Sequence, residues 1–175
     1  MSFIPQSFYH SISLLLLWLC CFSYDFAVGY KPEIRNREAS VKNHAIFFAV
    51  DNYESPDILS LKNPIKDANE IARELRKNYD FDTRIIENPT LLEIEEEIKN
   101  LKKQYQSNRL NSEGQLLIFF SGHGEKDENI GYFLPSDANR DRLQATAFAY
   151  PLWRNKLSSV NCKHILVAID ACYSG

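Results

Sequence analysis

From residue 44 onward, short apolar runs alternate with stretches of helical periodicity. The runs are "HAIFFAV" (His44 to Val50), "FDTRIIE" (Phe81 to Glu87), "QLLIFF" (Gln115 to Phe120) and "HILVAID" (His164 to Asp170). Short, near-continuous apolar runs suit strands buried on both faces, as in a parallel sheet. Between the first two lies "NPIKDANEIARELRKNY". Its Ile65, Ala68, Ile71, Ala72 and Leu75 fall on one helical face, with Asn63 as the expected cap and Pro64 in the first turn. Between the second and third, Thr90 and Glu93 form a capping box. Leu91, Ile94, Ile98, Leu101 and Tyr105 make the apolar face behind it. There the spacing predicts an i,i+4 pair of Glu95 with Lys99, and the run Glu95 to Glu97 reads as the solvated side. "GYFLPSDANRD" reads as a short strand and turn, and "PLWRNKLSS" as a short helix.

Strand, helix, strand, helix, strand, excursion, helix, strand is an α/β alternation with parallel strands. Ligand sites in such sheets sit beyond the carboxyl ends of the strands. Two stretches of small residues around one reactive side chain stand there. "SGHG" follows the third strand, and "DACYSG" includes the end of the fourth. The fold therefore predicts His123 and Cys172 on one rim.

Residues 1–29 have a different character. "SISLLLLWLCCF" is uncharged and apolar, too short to span a bilayer comfortably, and fits the core of a secretory signal. Small residues at Ala27 and Gly29 suit a cut before Tyr30, with a cut after Ser23 as the rival. No Lys or Arg precedes the run, so a buried helix or an uncleaved membrane anchor is the competing reading. Residues 30–43 are polar and read as a linker, and residues 44–175 as the folded domain. Export, periplasmic or extracellular, is the expectation. Removal of the segment takes Cys20 and Cys21 and leaves Cys162 and Cys172, too few for a disulfide scaffold.

The 175 residues are 45% hydrophobic and 25% charged, enough apolar mass for a core. A net charge of −3 gives no electrostatic footprint for nucleic acid. A cysteine at the end of an apolar run reads either as a small buried hydrophobe or as a working thiol, and a histidine in a loop either as a solvated surface residue or as its partner. A free cysteine has a pKa near 8.5, so about a few per cent is thiolate at neutral pH. An imidazole can take its proton and later return it to a leaving amine. Backbone N–H groups beside glycines can hold the oxyanion. Gly122 and Gly124 flank His123, and Gly175 follows Cys172.

"FFSGHG" followed by "IDACYSG" resembles the caspase-type cysteine peptidases, and most the metacaspase and bacterial caspase-like branch. The caspase signature sets its cysteine motif about 50 residues after its histidine, and here the separation is 49. "AIFFAVDNY" with "LKNPIKDANEIARELR" resembles the family's first strand and helix, and "GYFLPSDA" the strand after the histidine loop. The resemblance covers about residues 43 to 175 and implies a caspase-haemoglobinase-like sandwich, with a mostly parallel central sheet flanked by helices. It implies Cys172 as nucleophile, His123 as general acid/base, and the backbone N–H groups of Gly124 and Cys172 as the oxyanion hole. It also implies a pocket built from Asp170 and Asp67, with Ser121 and Pro64 as neutral wall positions. Two carboxylates favour a guanidinium or ammonium, so the expected cleavage is after Arg or Lys.

Family members continue with two more strands, so the expectation is a domain truncated after its fourth core strand, and possible inactivity of this chain alone. Tyr173 stands where many metacaspases have histidine. The alternative function is a non-catalytic caspase-like binding or scaffold module. A thiol redox protein lacks its Cys-x-x-Cys pair. No cofactor is expected. Some metacaspases need calcium, and Asp127, Glu128, Asp137 and Asp141 supply oxygens in one segment, without a recognisable ligand spacing. Zinc lacks paired Cys/His ligands in the part that remains after removal of the signal. The expected partner is a protein or peptide substrate, not nucleic acid, with membrane contact only through an uncleaved N-terminal segment.

Overall fold

The computed structural model describes residues 42–171. Residues 1–29, read above as a secretory signal, residues 30–41 of the stretch read as a linker, and Cys172 to Gly175 lie outside the described residues. Four parallel strands form the main sheet: β1 (Asn43–Ala49), β2 (Phe81–Glu87), β3 (Gln115–Ser121) and β7 (His164–Asp170), in the order β2-β1-β3-β7. β1 starts one residue before the expected run, within the stretch read as linker.

Alternation along β1 divides the core in two. Ala45, Phe47 and Ala49 pack with Ala68 and Ala72 of α1 (Pro64–Asn78). Ile46, Phe48 and Val50 face the other way, into a larger cluster. That cluster includes Ile94, Ile98, Leu101 and Tyr105 of α2 (Leu91–Gln106) and Trp153 and Leu157 of α4 (Tyr150–Leu157). Phe120 packs edge-on against Phe133 and Trp153, with ring centroids 4.7 and 4.2 Å away. Burying each such ring contributes about 1.5–3 kcal/mol. The aromatic cluster thus outweighs the indole N–H of Trp153, which has no partner among the described residues and costs about 1–3 kcal/mol.

Helix starts follow the sequence with one exception. Thr90 accepts from the Glu93 N–H and the Glu93 carboxylate accepts from the Thr90 N–H, so the capping box forms. Asn63, by contrast, makes no side-chain capping bond. The cap of α1 comes from Asp51 in the preceding loop, whose Oδ1 accepts from the Ile65 N–H at 3.1 Å. Asn63 has helical φ and ψ of −111° and −27°, rather than the extended backbone that aims a cap side chain at the first turn.

Two further expectations change. Glu95 pairs with Lys156 of α4 at 2.6 Å, so a tertiary partner takes the place of Lys99. Glu97 lies buried in the core-facing flank of α2 and pairs with Arg84 of β2 at 3.1 Å, so the acidic run is not wholly solvated.

The excursion after β3 is a second, antiparallel sheet. It consists of β4 (Gly124–Asp127), β5 (Ile130–Phe133) and the two-residue β6 (Phe148–Ala149). A 3-10 turn (Arg140–Arg142) and α3 (Leu143–Thr146) close it over Ile58, Tyr132, Leu134 and Ala147. Among the described residues, no helix is long and apolar enough to cross a membrane.

Candidate active site

The register places Glu87, Ala49, Ser121 and Asp170 in one row across the carboxyl ends of the four strands. The chain leaves β1 towards β2 on one side and leaves β3 in the opposite direction, towards β7, so the order reverses between β1 and β3. The loops after β1 and β3 flank the crevice that such a switch point opens. Both sequence stretches singled out above start from this row.

Ser121 and Asp170 are direct partners across β3 and β7. The Ser121 hydroxyl donates to Asp170 Oδ2 at 3.3 Å, and the Gly122 N–H donates to the Asp170 carbonyl at 3.2 Å. Ser121 is buried, whereas Asp170 is exposed, on the strand that lies at the sheet edge among the described residues. Pro64 and Asp67 occupy the first turn of α1, Pro64 buried and Asp67 half-buried. Ala68, next to Asp67, packs in the same cluster as Ala49 of the row. Asp67 shares no hydrogen bond with Ser121 or Asp170 among the described residues.

His123 is gripped from the loop after β1. Its backbone N–H donates to the Tyr53 hydroxyl at 2.8 Å, and its carbonyl accepts from the Leu134 N–H at 3.0 Å. Its Nε2 lies 2.9 Å from the Leu59 carbonyl oxygen. A carbonyl only accepts, so this contact requires the proton on Nε2 and leaves Nδ1 of the neutral ring as the basic nitrogen. The Tyr53 ring packs against the imidazole, with centroids 5.2 Å apart. Burial pushes the Tyr53 phenol up to about 12, against the lowering effect of the His123 N–H it accepts, and the Asp51 carboxylate adds to the rise. The phenol is therefore neutral at physiological pH.

Gly122 has a steric reason. A Cβ there would stand 3.0 Å from the Tyr53 hydroxyl, 3.2 Å from Phe133 and 3.3 Å from Val50. Gly124 opposes Phe133 in the β4–β5 ladder. The bond from Leu134 N–H to His123 fixes the alternation, which makes Gly124 and Phe133 a non-hydrogen-bonded pair. The Gly124 N–H is thereby directed away from β5.

The loop that holds His123 is itself tied down. Asn88, just after β2, accepts from the Asp51 and Asn52 N–H groups, each at 2.9 Å. The Leu61 N–H donates to the Asp51 carbonyl at 2.7 Å, and buried Ile58 anchors the loop in the smaller core. Tyr53 and Leu59 escaped the sequence reading. An aromatic residue in a loop leaving the same rim was a usable signal for Tyr53. For Leu59 there was none, because its contribution is a backbone carbonyl.

Of the oxygens in the acidic segment, Asp137 is engaged structurally: its Oδ1 accepts from the Leu91 N–H at 2.8 Å, at the start of α2. Glu128 sits at the β4–β5 turn with φ of 49°. Among the described residues, no three His, Cys, Asp or Glu side chains are grouped to hold a metal ion.

Residues 42–175 match the family model described as the caspase domain. No curated protein matches the chain.

Proposed function

The chain belongs to the caspase domain family of cysteine peptidases, and from that premise we propose that it is an endopeptidase that cleaves after Arg or Lys by a His123–Cys172 dyad. The observation that carries the proposal is the pairing of Ser121 with Asp170 in register. His123 follows the first by two residues and Cys172 follows the second by two. Two residues reach at most about 7 Å, so the pairing of their starting points supports a meeting of the two side chains at one rim.

In this reading Nδ1 of His123 takes the thiol proton, and the thiolate of Cys172 attacks the scissile carbonyl. The N–H groups of Gly124 and Cys172 hold the tetrahedral oxyanion. The imidazolium gives its proton to the leaving amine as the C–N bond breaks, leaving a thioester. Water, deprotonated by His123, then attacks the thioester; its proton returns through the imidazolium to the sulfur, and the acid product leaves. Nε2–H remains on the Leu59 carbonyl throughout, which keeps the ring oriented while its charge changes.

Asp170 supplies the pocket charge that receives the cationic side chain, with Asp67 as the second acid and Ser121 and Pro64 as walls. The uncharged, apolar stretch Ser11 to Phe22 directs the protein to export, which amino-terminal sequencing of secreted material would check.

The test uses fluorogenic peptides ending in Arg, Lys or Asp, and an Arg-based electrophilic ketone. The proposal expects turnover after Arg and Lys, loss of turnover in Cys172→Ala, and covalent labelling of Cys172. A preference for Asp, or turnover that survives Cys172→Ala, would sink it.

A further inference from the structure

Building on that reading, we infer that Tyr53 is a positioning residue for the reaction: its hydroxyl and ring set the imidazole of His123 in the Nε2–H tautomer with Nδ1 turned to the crevice. Two contacts to His123 and one steric constraint at its neighbour involve this side chain. The hydroxyl accepts the His123 N–H at 2.8 Å, the ring lies 5.2 Å from the imidazole, and the same hydroxyl closes over Gly122, where a Cβ would come within 3.0 Å.

The backbone contact matters because of what it replaces. In a continued β4–β5 ladder, the His123 N–H would pair with the Leu134 carbonyl, just as the Leu134 N–H pairs with His123. The Tyr53 hydroxyl takes that donor instead and draws the His123 backbone towards the loop after β1. The same loop carries the Leu59 carbonyl that holds Nε2. One loop thus fixes the residue at its backbone, at its ring face and at one ring nitrogen, and the remaining nitrogen is left for chemistry. Without the hydroxyl, the backbone of His123 is free to return towards β5. A displacement of about 1 Å at a reacting group costs on the order of 100-fold in rate.

The experiment compares the full chain with Tyr53→Phe and Tyr53→Leu. Tyr53→Phe keeps the ring and removes the acceptor; Tyr53→Leu removes both. With an Arg peptide, we expect kcat about 10-fold lower in Tyr53→Phe and about 100-fold lower in Tyr53→Leu, with KM within about 2-fold of the starting protein. A kcat for Tyr53→Phe within about 2-fold of the starting protein, or a loss carried wholly by KM, overturns the inference.

A second readout does not depend on turnover. The 15N shifts of the His123 imidazole report its tautomer directly, in the starting protein and in Tyr53→Phe. We expect the Nε2–H form to dominate in the former and to lose population in the latter. Equal tautomer populations in the two proteins overturn the inference. If the starting protein turns over no peptide, the cleavage reading falls while the tautomer comparison still decides the role of Tyr53.

Discussion

Asn88 offers the most direct test of how the loop after β1 is held. Its backbone lies in the left-handed region at φ 49°, and its side chain accepts two N–H groups. Replacing it with Ala removes three contributions of separable size. The Asp51 N–H is partly buried, and leaving it without its acceptor costs about 1–2 kcal/mol. The Asn52 N–H is exposed, so water replaces most of the lost bond and the cost is about 0.5 kcal/mol. Holding Ala rather than Asn in the left-handed region costs about 1 kcal/mol. The sum is about 3 kcal/mol, a large share of the roughly 5–15 kcal/mol that holds an ordinary domain together.

The same arithmetic ranks the variants. Asn88→Asp keeps the acceptor and costs least; Asn88→Gly escapes the backbone penalty and costs about 2 kcal/mol; Asn88→Ala costs most. The assay is urea unfolding followed by tryptophan fluorescence in a Trp18→Phe background, which leaves Trp153 as the probe. Trp153 is 3% exposed and packs on Phe120 and Phe148, so its emission reports the main core. A Gly variant no more stable than the Ala variant would refute the left-handed argument. An Ala variant within about 0.5 kcal/mol of the starting protein would refute the whole account. Because the loop carries Tyr53 and Leu59, the Ala variant should also lose kcat before it loses its fold.

Two further outcomes follow from the rim and the core. Asp170→Asn exchanges a charge-assisted contact for a neutral one, a difference of about 1.4 kcal/mol. Arg-peptide kcat/KM should therefore fall about tenfold while that of uncharged peptides is unchanged; equal losses for both would remove Asp170 from the pocket. His44 is held below its ordinary 6.5, chiefly by burial, with Asp82 opposing and Lys42 adding to the lowering. As pH falls below about 6.5 the unfolded chain binds this proton first, so stability is full above that pH and is lost as pH drops toward the folded pKa. Urea midpoints at pH 8, 6.5 and 5 should fall less steeply in His44→Gln, and identical slopes would contradict the burial of the ring.

Alternation and helical periodicity determined the main layers, because each run has one face or both that must leave water. β2 and β7 match their sequence runs residue for residue, and the capping box starts α2 where Thr90 and Glu93 predicted. The pairing of small residues with His123, and the spacing to Cys172, were equally local features. What local pattern could not carry was partnership. β1 and β7 begin from similar runs, yet β1 is almost wholly buried while Leu166 of β7 is 64% exposed, because β1 has a strand on each side and β7 lies at an edge among the described residues. Glu97 reads as solvent-facing until Arg84 meets it from a neighbouring strand. The seat of His123 is decided the same way: Tyr53 and Leu59 stand 70 and 64 residues away along the chain. One of them acts through a carbonyl that every residue type possesses, so only the folded backbone could single it out.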